Sequence, residues 1–163
     1  MKILWVILIL MGLSGCAGEA TFETVADVMV TEAPAQPKKV KLQLPKEVAA
    51  PVMDTEAQQI FVSEGYEIMV EKRPSGDLQG TVLQLSGYMP DKLTVLSTDQ
   101  GEYRKHSFVW SCTGEQGDRL GKAVVLDDGN YHYCLSILWD AALTEEKQTQ
   151  WDSVFASFSL VED

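Results

Sequence analysis

The sequence is short of cationic side chains, of cysteine and of long apolar runs, and each shortage excludes something. Lys and Arg number 13 against 24 Asp and Glu, a formal charge of −11. A surface this negative repels phosphate backbones, which excludes general nucleic-acid binding. Three cysteines are too few to staple a disulfide-dense miniprotein. Six Pro and 12 Gly in 163 residues exclude a collagen-like or wholly disordered chain, and the length allows one ordinary domain. No apolar run reaches the roughly 20 residues that a helix needs to cross a bilayer. Nucleophile and phosphate-cradling signatures are missing as well. There is no G-x-S-x-G elbow, S-x-x-K or Walker loop, and Gly76, Gly80 and Gly87 do not form G-x-G-x-x-G.

What is present begins at the N-terminus. Met1 and Lys2 precede Ile3 to Leu13, a run of eleven residues that is apolar apart from Gly12. Its length suits the h-region of a secretory signal rather than a membrane span. Leu13-Ser14-Gly15-Cys16 follows, and it resembles the lipobox of bacterial lipoproteins. The resemblance implies cleavage before Cys16 and acylation of its thiol, so that residues 1–15 are a signal peptide. Acyl chains contribute about 0.8 kcal/mol per buried methylene, so two or three of them hold a protein firmly. The expected location is the outer face of the cell membrane, or the outer membrane where the host has two. Contact with lipid is expected through the acyl chains alone, because an acidic body repels anionic headgroups. An ordinary secretory signal with an incidental Cys16 is the alternative. The chain also resembles small lipoproteins of gut-type Clostridia, which adds location and no mechanism.

Residues 16–55 read as a mostly extended tether, with Pro34, Pro37, Pro45 and Pro51 favouring polyproline II. Two patches in it carry a pattern: Phe22, Val25 and Met29 at helical spacing, and Val40, Leu42 and Leu44 in strand-like alternation. Lys38, Lys39, Lys41 and Lys46 are read as solvated positions of this tether, with contact to anionic lipid or wall polymer as the alternative.

Residues 56–163 read as a single α+β domain. Strands are expected at Gln59 to Val62 and Tyr66 to Lys72, joined across Ser63-Glu64-Gly65. Asp77 can cap a short helix with Leu78, Val82 and Leu85 on one face and Gly87 at its end, although Gly80 weakens it. Leu93 to Ser97, Tyr103 to Cys112, Leu120 to Leu126 and Tyr131 to Trp139 are rich in β-formers. The Asp127-Asp128-Gly129-Asn130 step between the last two accepts the positive φ of a hairpin turn. A final helix behind Thr144 places Trp151, Val154, Phe155 and Phe158 in one stripe. The expected architecture is an antiparallel sheet built from hairpins, with this C-terminal helix packed on one face. The ending from Gly129 to Ile137, then the helix, then Ser157-Phe158, resembles the PsbP/Mog1-like group of domains. That group serves several roles, so the resemblance implies fold more than function.

The candidate sites are few. Phe108 and Trp110 alternate on one strand, as do Tyr131, Tyr133 and Trp139 on another; left exposed, they could stack on sugars or grip a peptide. A disulfide between Cys112 and Cys134 is disfavoured, because a meander places a strand between them and disulfides tolerate Cα separations only to about 7 Å. His106 and His132 have no second ligand at metal spacing, and no stretch follows the calcium-loop pattern, so no metal or cofactor is expected. The favoured function is a lipid-tethered, non-catalytic module that binds a protein, peptide or glycan. An envelope enzyme assembled around His106 or His132, and a structural assembly subunit, are the alternatives.

Overall fold

The computed structural model describes residues 35–93, 95–114, 117–142 and 145–161. Cys16, the Phe22-Val25-Met29 pattern and Thr144 lie outside the described residues. Among the described residues nine strands and two α-helices are formed: β1 (Lys39–Lys41), β2 (Met53–Asp54), β3 (Gln58–Ser63), β4 (Tyr66–Pro74), α1 (Leu78–Ser86), β5 (Val95–Gln100), β6 (Arg104–Gly114), β7 (Gly117–Asp127), β8 (Tyr131–Asp140), α2 (Glu145–Ser157) and β9 (Ser159–Val161). A single turn of 3-10 helix at Pro90–Lys92 follows α1. The fold is α+β, with a seven-stranded antiparallel sheet in the order β2-β3-β4-β8-β7-β6-β5 and a separate β1–β9 pair.

Local chemistry sets the punctuation. The Asp77 carboxylate accepts the Gln79 N–H at 3.1 Å, and Gly87 at φ 77° closes α1 by donating to the Leu83 carbonyl. In the β7–β8 turn, Asp127 and Asp128 accept backbone N–H groups from residues 129 to 131 while Gly129 takes φ 90°. After the β3–β4 hairpin, α1 carries the chain across the sheet to its opposite edge. The meander β5-β6-β7-β8 then returns, so that β8 pairs with β4 from Tyr66↔Trp139 to Pro74↔Tyr131.

Alternation along the strands produces two cores. On one face Ile68, Val124, Leu135 and Ile137 pack against Trp151, Val154, Phe155 and Phe158, with Val40, Leu42, Leu44, Val48 and Leu160 joining them. On the other, Phe108, Ala123, Val125 and Cys134 pack against Val82 and Leu85 of α1. The expectation of one covering helix is thus only half the architecture, because α1 roofs the second face. The tether expectation also changes. Residues 35–55 include β1 and β2, and Lys38 is fastened to the domain by its N–H donating to the Tyr133 hydroxyl at 2.8 Å. No helix among the described residues is long and apolar enough to cross a membrane.

Candidate functional site

The two roofs decide what the aromatic residues do. Phe108 and Tyr133 are fully buried and Trp139 is 7% exposed, while Trp110 and Tyr131 are half-buried. Of the two readings, exposed or core, the second holds for these residues: among the described residues they form no open aromatic face, since α1 covers one set and α2 with the N-terminal strands covers the other. Tyr133 serves instead as a fastener, accepting from Lys38 and donating to Asp128 at 3.0 Å. Burial pushes its phenol up to about 12, so the hydroxyl keeps its proton.

Cys112 and Cys134 are free thiols. β7 runs between their strands, with Cys112 opposite Arg119 and Cys134 opposite Val125. Those partners are six positions apart on β7, about 20 Å at the rise of a strand. No disulfide can bridge that gap. Burial, with the Glu71 charge adding to it, pushes the Cys134 thiol up to about 12 and leaves it inert.

The two histidines, far apart in sequence, meet on the α1 face. Register places Arg73, His132, Asp127 and Arg104 in one cross-strand row, with Cys134, Val125 and His106 in a row beside it. His132 Nδ1 lies 2.8 Å from the Thr81 hydroxyl, its Nε2 lies 3.9 Å from Asp127 Oδ2, and Arg104 clamps the same oxygen at 2.6 Å. His106 Nδ1 lies 2.9 Å from the Thr98 hydroxyl. Burial holds both imidazoles below their usual range, against the opposing pull of Asp127. A hydroxyl, an imidazole and a carboxylate in series are the parts of a nucleophilic site. Here the parts are closed off: Thr81 is 4% exposed and His132 1%, and 3.9 Å is too long for a base-orienting hydrogen bond. Among the described residues no three His, Cys, Asp or Glu side chains are placed to hold a metal ion.

Open space lies elsewhere: two hollows, of about 340 and 230 Å³, lie where residues 37–59 meet β4, and three adjoining ones lie at the end of the sheet marked by the β6–β7 turn. Of these three, the first, of about 350 Å³, is floored by Val109, Ser111, Leu120 and Trp139 on the α2 face. A second, of about 210 Å³, lies over Tyr88, Lys92 and Trp110 on the opposite face. A third, of about 360 Å³, holds Tyr88, Cys112, Thr113, Asp118 and Arg119, and shares Ser111 with both others. The first is apolar, and the third is polar and fixed by short contacts. Tyr88 donates to the Ser111 carbonyl at 3.0 Å, Thr113 to Asp118 at 2.8 Å, and Arg119 Nε lies 3.5 Å from Asp140 Oδ1. An apolar floor beside a small set of convergent polar groups is the usual make-up of a binding site. Trp110 and Trp139 are the two residues of the expected binding face that border it, from opposite sides of the sheet. Tyr88, Ser111 and Arg119 were not legible as a group, since they come from separate elements. The one local signal is Gly121 opposite Trp110, a missing side chain that leaves room for an indole.

No protein-family model matches the chain, and no curated protein matches it. A crystal structure of a protein from Bacteroides thetaiotaomicron VPI-5482 has a similar fold, with a TM-score of 0.52 and 11% sequence identity over 76% of this chain. This chain corresponds to 46% of that one, and at such identity the likeness is one of fold alone.

Proposed function

We propose that the chain is an exported lipoprotein, held through acyl chains on Cys16 at the outer face of the envelope, whose domain is a non-catalytic binding module. Its relation to the PsbP/Mog1-like group belongs to the same proposal, supported by the order of turn, Tyr-rich strand, amphipathic helix and Ser157-Phe158. The observation that carries the reading is a polarity of the domain. Lys38 is fastened at the β7–β8 turn, beside Tyr133 and Tyr103, whereas the three adjoining hollows open at the β6–β7 end. The chain thus enters the domain at Lys38, at the end opposite those hollows. The ligand class they suit is a protein segment, peptide or glycan with an apolar group beside a polar one.

Mass spectrometry of the protein from its own host tests the anchor. Diacylglycerol on Cys16 is expected, and an unmodified peptide, or unchanged maturation of Cys16→Ser, overturns it. The binding site is tested by retention of an envelope ligand on fragment 34–163. Leu120→Glu is expected to abolish retention and Lys92→Gln to reduce it only slightly; retention unchanged by Leu120→Glu removes the hollow from the proposal. An enzyme built on Thr81, His132 and Asp127 is the second reading, favoured by their juxtaposition and opposed by their burial.

A further inference from the structure

The cations of this acidic chain are unevenly placed. Arg73, Lys92, Arg104, Arg119, Lys122 and Lys147 each face a carboxylate within 4 Å. Among the described residues Lys39, Lys41, Lys46, Lys72 and Lys105 form no ion pair. Four of these five gather where the N-terminal segment meets the sheet. Lys72, Tyr133, Leu126 and Lys105 are successive partners in one cross-strand row, which puts both lysines on the α2 face about 14 Å apart. Lys38 bonds to Tyr133 in the middle of that row and to Tyr103 through its ammonium, and β1 carries Lys39 and Lys41 outward beside it. A trough of about 340 Å³ lies between Lys39 and Lys72. The carboxylates in the neighbourhood are Glu56 and Glu71, which line the trough, Glu71 being already paired with Arg73, Asp99, the cross-strand partner of Lys105 on the edge strand, and Glu102 and Asp128, which face Lys38.

We infer that this lysine face seats the domain on an anionic bilayer, so that headgroup phosphates take the place of the missing carboxylate partners. The partner is a lipid surface because the lysines flank the very segment that leads back to Cys16; to that extent the inference rests on the proposed anchor. A basic side chain near a charged leaflet gains affinity that salt removes. With these four lysines turned toward lipid, the domain would hold the hollows at the β6–β7 end outward.

Residues 34–163 form a compact unit by themselves, so this fragment can be sedimented with vesicles in the absence of any anchor. Vesicles of phosphatidylcholine alone are compared with equal parts phosphatidylcholine and phosphatidylglycerol, at low and high salt. At low salt, binding to the anionic vesicles is expected to exceed binding to neutral ones by about tenfold or more. High salt is expected to remove the difference, as is the combined variant K39Q/K41Q/K72Q/K105Q. Since Lys39 and Lys41 are exposed, K39Q/K41Q keeps the fold and is expected to give a partial loss. Equal binding to both vesicles, binding to neither, or tight binding only to a soluble polyphosphate overturns the inference, as does a loss matched by Lys92→Gln. The fragment lacks Cys16, so its failure leaves the anchor standing, and an unmodified Cys16 leaves the vesicle result standing.

Discussion

Gly121 is set opposite Trp110 in the β6–β7 pair, and a Cβ built there would clash with the indole at Cε2 and Cζ2. Trp110 in turn packs on Phe108, with ring centroids 5.8 Å apart, so a displaced indole would disturb the core under α1. Gly121→Ala is therefore expected to destabilise the domain by about 1–3 kcal/mol, the usual cost of overpacking, read from the denaturant midpoint together with a shift in tryptophan emission. The histidines make a prediction of opposite character, one of pH. His106 and His132 titrate below 6.5 in the folded state, so below that value the unfolded chain binds more protons than the native one. Their contribution to stability is complete above 6.5 and is lost as pH falls through it toward the depressed folded values. Urea midpoints measured from pH 7.5 downward are expected to stay level and then fall, and the fall should shrink in His132→Gln. A midpoint that climbs on acidification would contradict the burial of the pair.

At the scale of elements, helix ends and hairpins were readable because short-range chemistry writes them. Asp77 and Gly87 mark α1, and the Asp127-Asp128-Gly129-Asn130 turn joins β7 to β8. The expected strand limits fall within a few residues of those observed, and Trp151, Val154 and Phe155 do line the inner face of α2. What was not readable depends on where an element goes after it forms. Nothing local to Leu78–Ser86 says that α1 will cross to the far edge and cover Phe108, and so the sequence left both an exposed and a buried aromatic set open. The alternation of Val40, Leu42 and Leu44 was legible as strand-like, but among so many prolines and lysines it read as part of a spacer, and only the β9 partner, more than a hundred residues away, makes β1 part of the domain. The His132–Asp127–His106 cluster is a product of register across three strands, which composition does not carry. The two helices also differ in what they contribute. Trp151→Ala removes a fully buried indole at the heart of one core and is expected to cost about 3–5 kcal/mol. Asp77→Ala removes one cap of α1 and is expected to cost about 1 kcal/mol, so thermal melts should separate the pair clearly.

Among the described residues no disulfide is formed, and packing and hydrogen bonds hold the domain together. Cys112 is half-buried and Cys134 is buried beneath α1, and neither has a sulfur within reach. Thiol titration of fragment 34–163 is expected to find one reactive group in the native state and two in denaturant, with no change in mobility between reduced and non-reduced gels. The chain topology has a further consequence for biogenesis. The N-terminal hairpin of β3 and β4 has its permanent neighbour in β8, the last strand of the large sheet to be made, and the roof over both is later still. A polypeptide delivered from its first residue must therefore wait, with half a sheet and its apolar underside exposed, until its closing quarter has followed. During that interval it is a client for whatever holdase its compartment provides, and slow delivery of the remaining chain, by synthesis or by the export proposed above, would prolong its exposure to proteases more than any weakness of the finished fold.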